Sequence, residues 1–169
     1  MNTEKVDIEL AYLAGLFEGE GCACIYAYPH KERNRIFYRS QLVVRMTDPE
    51  PVKRFYDRFG GSYHIRTCAT VKACQIFGWC VSGKRAAEVA ELLLPYISTS
   101  RKCEALKCVI KFAKTFRGEY RGCGVPSEVT EQRIELVRNI RFFNTKGIDK
   151  NRTKLNPEIT SKSLQLILF

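Results

Sequence analysis

The stretch from Ile8 to Glu18, IELAYLAGLFE, constrains the fold more than any other segment of the chain. Asp7 stands where a helix N-cap is expected, and Glu9 lies in the first turn, where a carboxylate complements the helix dipole. Leu10, Leu13, Ala14 and Phe17 form one apolar stripe at i, i+3, i+4 and i+7. Ile8, Tyr12, Gly15, Leu16 and Gly19 form a second stripe on another face. A helix that is apolar on two sides has to be covered on two sides. Ala11, Gly15 and Gly19 sit four residues apart, and a glycine inside a helix costs about 1 kcal/mol relative to alanine. Close approach of another helix compensates for that cost, so the pattern predicts a helix pair, which two subunits can supply.

The end of this helix carries an electrostatic penalty. In LAYLAGLFEGEGC, Glu18 and Glu20 alternate with Gly19 and Gly21 at the helix C-terminus, where the dipole contributes about half a negative charge. The two carboxylates are repelled by that charge and by each other, and a cation would offset both terms. If the helix pairs with its twin about a two-fold axis, the two Glu20 carboxylates converge with nearby backbone carbonyls. Such an all-oxygen site suits Mg²⁺, and metal ions there can activate water and stabilise both oxygens of an in-line phosphodiester displacement. The plainer alternative is that both acids are solvated residues at a helix end.

After Gly21 the periodicity changes from helical to two. Cys22 to Tyr28 and Ile36 to Thr47 read as strands joined by the polar turn HKERN. In the second strand Arg39, Gln41 and Arg45 alternate with Tyr38, Ser40, Leu42, Val44 and Met46, which separates a basic face from a mainly apolar one. Pro49 opens a short helix that ends at Gly60 and Gly61. A second hairpin, about Ser62 to Thr67 and Cys74 to Ser82, precedes the amphipathic run KRAAEVAELLLPYI, which stops near Pro95. Further helices are expected at 101–117 and 127–143, with a Gly-rich joint from Arg117 to Gly124. The order αββαββα predicts an α+β fold with helices on one face of an antiparallel sheet and a basic, DNA-sized face on the other.

Charge distribution agrees with that layout. Lys and Arg number 28 against 18 Asp and Glu, a net charge of +10, and the excess is local: residues 30–72 carry ten bases and four acids, whereas residues 1–21 carry one base and five acids. A polyanion is the expected partner, nucleic acid before an acidic membrane surface. With 169 residues, 45% hydrophobic, the chain is long enough to bury a core without metal or disulfides. No apolar stretch approaches the roughly 20 residues of a membrane span, and the acidic start lacks a signal-peptide layout, so a soluble, unexported chain is expected. The eight cysteines are scattered, match no structural zinc spacing, and are expected to be reduced.

LAGLFEGEG closely resembles the signature of the LAGLIDADG homing endonucleases, with Leu13, Ala14, Gly15, Leu16, Glu18, Glu20 and Gly21 at matching places. The following strand, the repeated ββα order and the LLPYISTSRK and NTKG segments extend the resemblance over most of residues 8 to 148. It implies one endonuclease domain, 1–148, with a C-terminal tail, 149–169. It also implies a site-specific double-strand DNA endonuclease that leaves 3′ overhangs, uses Mg²⁺ with Mn²⁺ as a substitute, and acts in a bacterial or phage cytoplasm or in an organelle. The metal-binding acid of the signature falls on Glu20, and the preceding carbonyl is that of Gly19. The water-organising position falls on Asp48. The basic catalytic position falls near the start of the helix after Pro95 and Tyr96, with Arg101 and Lys102 as candidates and Ser100 as the awkward alternative.

One motif in the chain implies a homodimer on a near-palindromic site, with Tyr12, Gly15, Leu16 and Gly19 at the dimer interface. For base reading the polar members of the DNA-facing stripes stand out: Tyr26, Tyr28, His30, Arg39, Gln41, Arg45, His64, Arg66 and Gln75. Lys31, Arg33, Arg35 and Lys72 are expected on phosphates. Two other readings stay open, a non-cleaving DNA-binding protein or intron-RNA maturase on the same scaffold, and a basic structural nucleic-acid protein.

Overall fold

The computed structural model describes residues 7–30, 35–67, 74–116 and 124–145. Helix α1 (Ile8–Glu20) starts where Asp7 accepts a hydrogen bond from the Leu10 amide at 3.0 Å, and runs straight into strand β1 (Gly21–His30). Gly21 makes that junction possible. A Cβ there would lie 2.3 Å from Cδ2 of Phe17 and 2.5 Å from the Phe17 carbonyl oxygen, so the final glycine of the motif is required by close approach.

Strand β2 (Arg35–Met46) pairs antiparallel with β1, with Gly21 opposite Val44 and Tyr26 opposite Arg39. Helix α2 (Pro49–Phe59) follows, capped by Asp48, and Gly60 and Gly61 end it with positive φ. Strand β3 (Ser62–Thr67) and strand β4 (Gln75–Ser82) form the second hairpin, which joins the first through β4 to give the order β1-β2-β4-β3. Helix α3 (Lys84–Leu93) runs into a 3₁₀ turn (Leu94–Tyr96), and helices α4 (Ser100–Ala113) and α5 (Ser127–Asn144) complete the described fold. This is the expected α+β architecture. Helix α4 stops four residues before the expected Arg117, because the chain leaves the helix through turns that bring Thr115 under the buried Arg133 of α5. The Gly-rich joint lies mostly, and the tail 149–169 wholly, outside the described residues.

One core joins every helix to one face of the sheet. Leu42, Val44, Trp79 and Val81 point into it from the central strands, Phe17 and Leu13 from α1, Phe55 and Phe59 from α2, and Leu136 and Ile140 from α5. Trp79 packs on Phe55 at 5.0 Å between ring centroids, and its indole N–H donates to the Gly60 carbonyl at 2.7 Å, so its one polar atom is satisfied inside the core. The opposite sheet face keeps Cys22, Tyr26, Tyr28, Arg39 and Arg45 exposed. Among the described residues no helix is long and apolar enough to cross a membrane.

Candidate functional site

Alternation along the strands settles which side chains share the exposed face. Pairing in register places Tyr28 beside Phe37, Tyr26 beside Arg39, and Cys24 beside Gln41 and Ser82. It places Cys22 beside Val43 and Cys80, and Arg45 beside Gly78 and His64. Tyr28 and Phe37 stack with centroids 6.1 Å apart, and Arg39 donates to the Ser82 hydroxyl at 2.9 Å. Burial and the neighbouring Arg66 and Arg45 lower the pKa of His64, which keeps the ring neutral in a cationic row. Gly78 makes room for that ring: a Cβ there would sit 2.3 Å from His64 Nε2.

Tyr26, Tyr28, Arg39, Gln41, Arg45, His64 and Arg66 therefore share one face, as the alternation predicts. Gln75 does not. It pairs with Thr67 and lies in phase with Phe77 and Trp79, on the helix side of the sheet, because burial of Trp79 and Val81 turns the even-numbered residues of β4 outward. His30 and Arg35 are register partners at the far end of the first hairpin, while Lys31, Arg33 and Lys72 lie outside the described residues. A choice of polar residues alone also misses Cys22, Cys24, Val43, Ile76 and Cys80, which the same alternation places on the exposed face.

At the end of α1 the two acids part. Glu18 is expected beside Glu20 as one of a pair, but its carboxylate turns to α4, where Oε1 accepts from the Ser98 hydroxyl at 2.9 Å and from the Thr99 amide at 2.5 Å. Hydrogen bonds from Thr99 and then Ser98 hold its pKa down, at about 2. The α4 N-terminus, with its positive dipole end, offsets what the α1 C-terminus penalises. No cation is needed for Glu18. Glu20 stays exposed and, among the described residues, without a hydrogen-bond or ion-pair partner. Among the described residues nothing offsets its penalty.

The two basic candidates also separate. The Arg101 guanidinium donates to the carbonyls of Phe143, at 2.9 Å, and Thr145, and so fastens the end of α5 rather than facing α1. Lys102, one residue on and about 100° around the helix, donates its ammonium to the Gly21 carbonyl and lies 5.5 Å from the centroid of the Phe17 ring. Lys102 is thus the basic residue brought to the end of α1, next in space to the strand that leaves Glu20. Asp48 accepts from the Glu50 amide at 3.1 Å as the cap of α2. It stands at the same end of the sheet as Glu20, since Gly21 is opposite Val44 and Asp48 follows four residues later. On the exposed face beside this end, hydrogen bonding with Cys24 and the nearby Lys102 and Arg45 lower the Cys22 pKa to about 6, at the expense of Cys24, whose pKa is raised.

Metal-ligating groups are sparse in a single copy. Among the described residues no group of three or more His, Cys, Asp or Glu converges; the oxygen donors at the end of α1 are the Glu20 carboxylate and the free carbonyls that any helix C-terminus presents, Gly19 among them. These are hard oxygen donors of the kind a divalent cation such as Mg²⁺ takes. The expected dimer residues Tyr12, Gly15 and Gly19 are exposed and Leu16 is half-buried. A Cβ on Gly15 or Gly19 would meet nothing within 4 Å, and Tyr12 is touched from one side by Arg54, whose guanidinium lies 5.3 Å from the ring centroid.

No protein-family model matches the sequence, and no curated protein does. Solved structures do match. The fold is similar to the homing endonuclease I-CvuI in complex with its target, with a TM-score of 0.63, 19% identity and coverage of 84% of this chain and 85% of that one. It is similar to the archaeal intron-encoded homing endonuclease I-Vdi141I complexed with DNA, with a TM-score of 0.64, 13% identity and coverage of 83% and 87%. Against the LAGLIDADG homing endonuclease I-GzeII in complex with its DNA target the TM-score is 0.59 at 14% identity, and 88% of this chain covers 48% of that one. The fold is that of the LAGLIDADG homing endonucleases.

Proposed function

We propose that this chain is a site-specific DNA endonuclease that works as a homodimer, residues 1–148 forming one nuclease unit. The observation that carries the reading is the end of α1: Glu20, exposed and, among the described residues, unpartnered, immediately precedes the Gly21 carbonyl that holds the Lys102 ammonium, at the edge of a sheet face lined by Arg39, Arg45, His64 and Arg66. A cationic, solvent-facing ribbon of this width matches the major groove, where Arg and Gln side chains make bidentate contacts to guanine and adenine. Gly15 and Gly19, whose lack of side chains nothing in the described chain exploits, support the need for a second copy.

In this reading Glu20 and the Gly19 carbonyl of each copy would hold Mg²⁺, with Mn²⁺ as a substitute. When bound, the metal supplies a water of lowered pKa and charge stabilisation on the attacking and leaving oxygens of the phosphodiester. Asp48, with one oxygen committed to the α2 cap, keeps the other to orient water. Lys102 offers a fixed positive charge to the phosphorane as negative charge builds on its oxygens. Gly15, Leu16, Gly19 and Tyr12 pack against their twins and bring the two sites to the two strands, giving staggered cuts with 3′ overhangs in a near-palindromic site. The enzyme acts inside the cell, in a bacterial or phage cytoplasm or an organelle.

Cleavage of a randomised duplex library, with Mg²⁺ and with Ca²⁺, followed by sequencing of the ends, tests this. Enriched near-palindromic sites cut only with Mg²⁺ are expected. Selective retention of DNA or RNA without cutting would replace the endonuclease with a binding protein or maturase.

A further inference from the structure

Glu20 lies between two fastenings. Two residues before it, Glu18 holds the Ser98 hydroxyl and the Thr99 amide; one residue after it, the Gly21 carbonyl holds the Lys102 ammonium. All three of those donors belong to the first turn of α4 or the two residues before it. Helix α4 has no cap of its own, because its N-cap residue Thr99 makes no side-chain hydrogen bond to the helix. The orphan amides of a helix start need an acceptor, and α1 provides it from 81 residues away in sequence.

We propose that Glu18 is a positioning residue: by capping α4 from the end of α1, it holds Lys102 at the Gly21 carbonyl and fixes that ammonium and the Glu20 carboxylate in one frame. A lysine is a point charge on a flexible four-carbon stem, and only its backbone and its contacts keep it in place. Phe17 closes the frame beneath, with its ring 5.5 Å from the ammonium and fully buried. Removing the cap frees the first turn of α4 to fray, and Lys102 leaves with it. What Lys102 is held for rests on the endonuclease reading; that it is held does not.

The test is competitive acylation of the full chain by an N-hydroxysuccinimide ester, read by peptide mass spectrometry as the labelling ratio of Lys102 to Lys111, an exposed lysine on the same helix. Wild type is expected to show a low ratio. Glu18→Ala should raise it by about tenfold, a size in keeping with loss of a pre-organised contact. Glu18→Gln, which keeps an acceptor oxygen, should restore most of the protection. Ser98→Ala removes one donor from the other side and should raise the ratio by about threefold, the effect of one net hydrogen bond; it serves if Glu18→Ala does not fold. Single-turnover cleavage with Mg²⁺ should fall in the same order, while the DNA dissociation constant measured with Ca²⁺ stays unchanged. An unchanged ratio in the folded variants overturns the clamp, as does lost cleavage in Glu18→Ala with Lys102 still protected. A wild type that protects Lys102 through Glu18 but cuts no DNA supports the clamp and overturns the endonuclease reading instead.

Discussion

The two faces of α1 are similarly apolar in sequence and opposite in environment. Leu10, Leu13, Ala14 and Phe17 are buried against the sheet and the neighbouring helices, three of them fully. On the other side Ile8 is 81% exposed, Tyr12 is covered only in part by Arg54, and Gly15 and Gly19 meet nothing. The first face does the work of folding, because apolar area removed from water stabilises at about 25 cal/mol per Å². The second face yields that free energy only when something covers it, and the helix closes on Glu20, the acid without a partner among the described residues. Folding is thus assigned to one side of the helix, and in the proposed dimer, assembly would cover the other side next to the carboxylate of Glu20.

That division can be broken at each side. The largest effect is expected at the end of the helix: Glu20→Gln would remove the proposed metal ligand at nearly constant volume, and cleavage should fall by about 10³-fold or more with specific DNA binding intact in an electrophoretic shift assay. Retained cleavage would end the role of Glu20. On the closed face, Phe17→Ala should cost about 3–5 kcal/mol in urea unfolding, since the ring is fully buried and also floors the Gly21 junction. A loss below about 1 kcal/mol would mean that the two faces differ less than their burial implies.

Gly15→Ala sharpens the contrast. Helix propensity favours alanine by about 1 kcal/mol and no atom of the described residues obstructs it, so the isolated subunit should gain stability. Sedimentation should show weakened dimers, because the methyl group would intrude where a second helix packs in the proposed dimer. Gained stability with undiminished dimers would make the open face ordinary surface. The smallest effect concerns pH. The Glu18 carboxyl, held at about 2 by Thr99 and Ser98 against an ordinary 4.5, has a folded pKa below its unfolded one. Its contribution is present above about 4.5 and is lost as pH falls toward 2. Acid titration of thermal stability should therefore be flatter in Glu18→Gln than in wild type over that window.

Much of this was legible in the linear chain because it depends on neighbours. Strand alternation sorted Arg39, Gln41 and Arg45 from Leu42 and Val44, and Pro49, Gly60 and Gly61 bounded α2 where the structure has it. The same alternation separates Gln75, in phase with Phe77 and Trp79, from His64 and Arg66. What local patterns leave open is long-range. Arg101 and Lys102 were indistinguishable as adjacent bases until packing turned one to α5 and the other to α1.

The sequence by itself determined the element order, the two-sided helix, the basic strand face and the position of Glu20, since each follows from periodicity, capping and charge within a few residues. Only the tertiary structure decided that Glu18 caps α4 instead of joining Glu20, that Lys102 reaches Gly21, and that Gly21 is required by the Phe17 ring. Local patterns choose among a few backbone states, whereas the partner of a carboxylate or an ammonium depends on which helix end the core packs beside it, and the first of these contacts joins residues 81 positions apart.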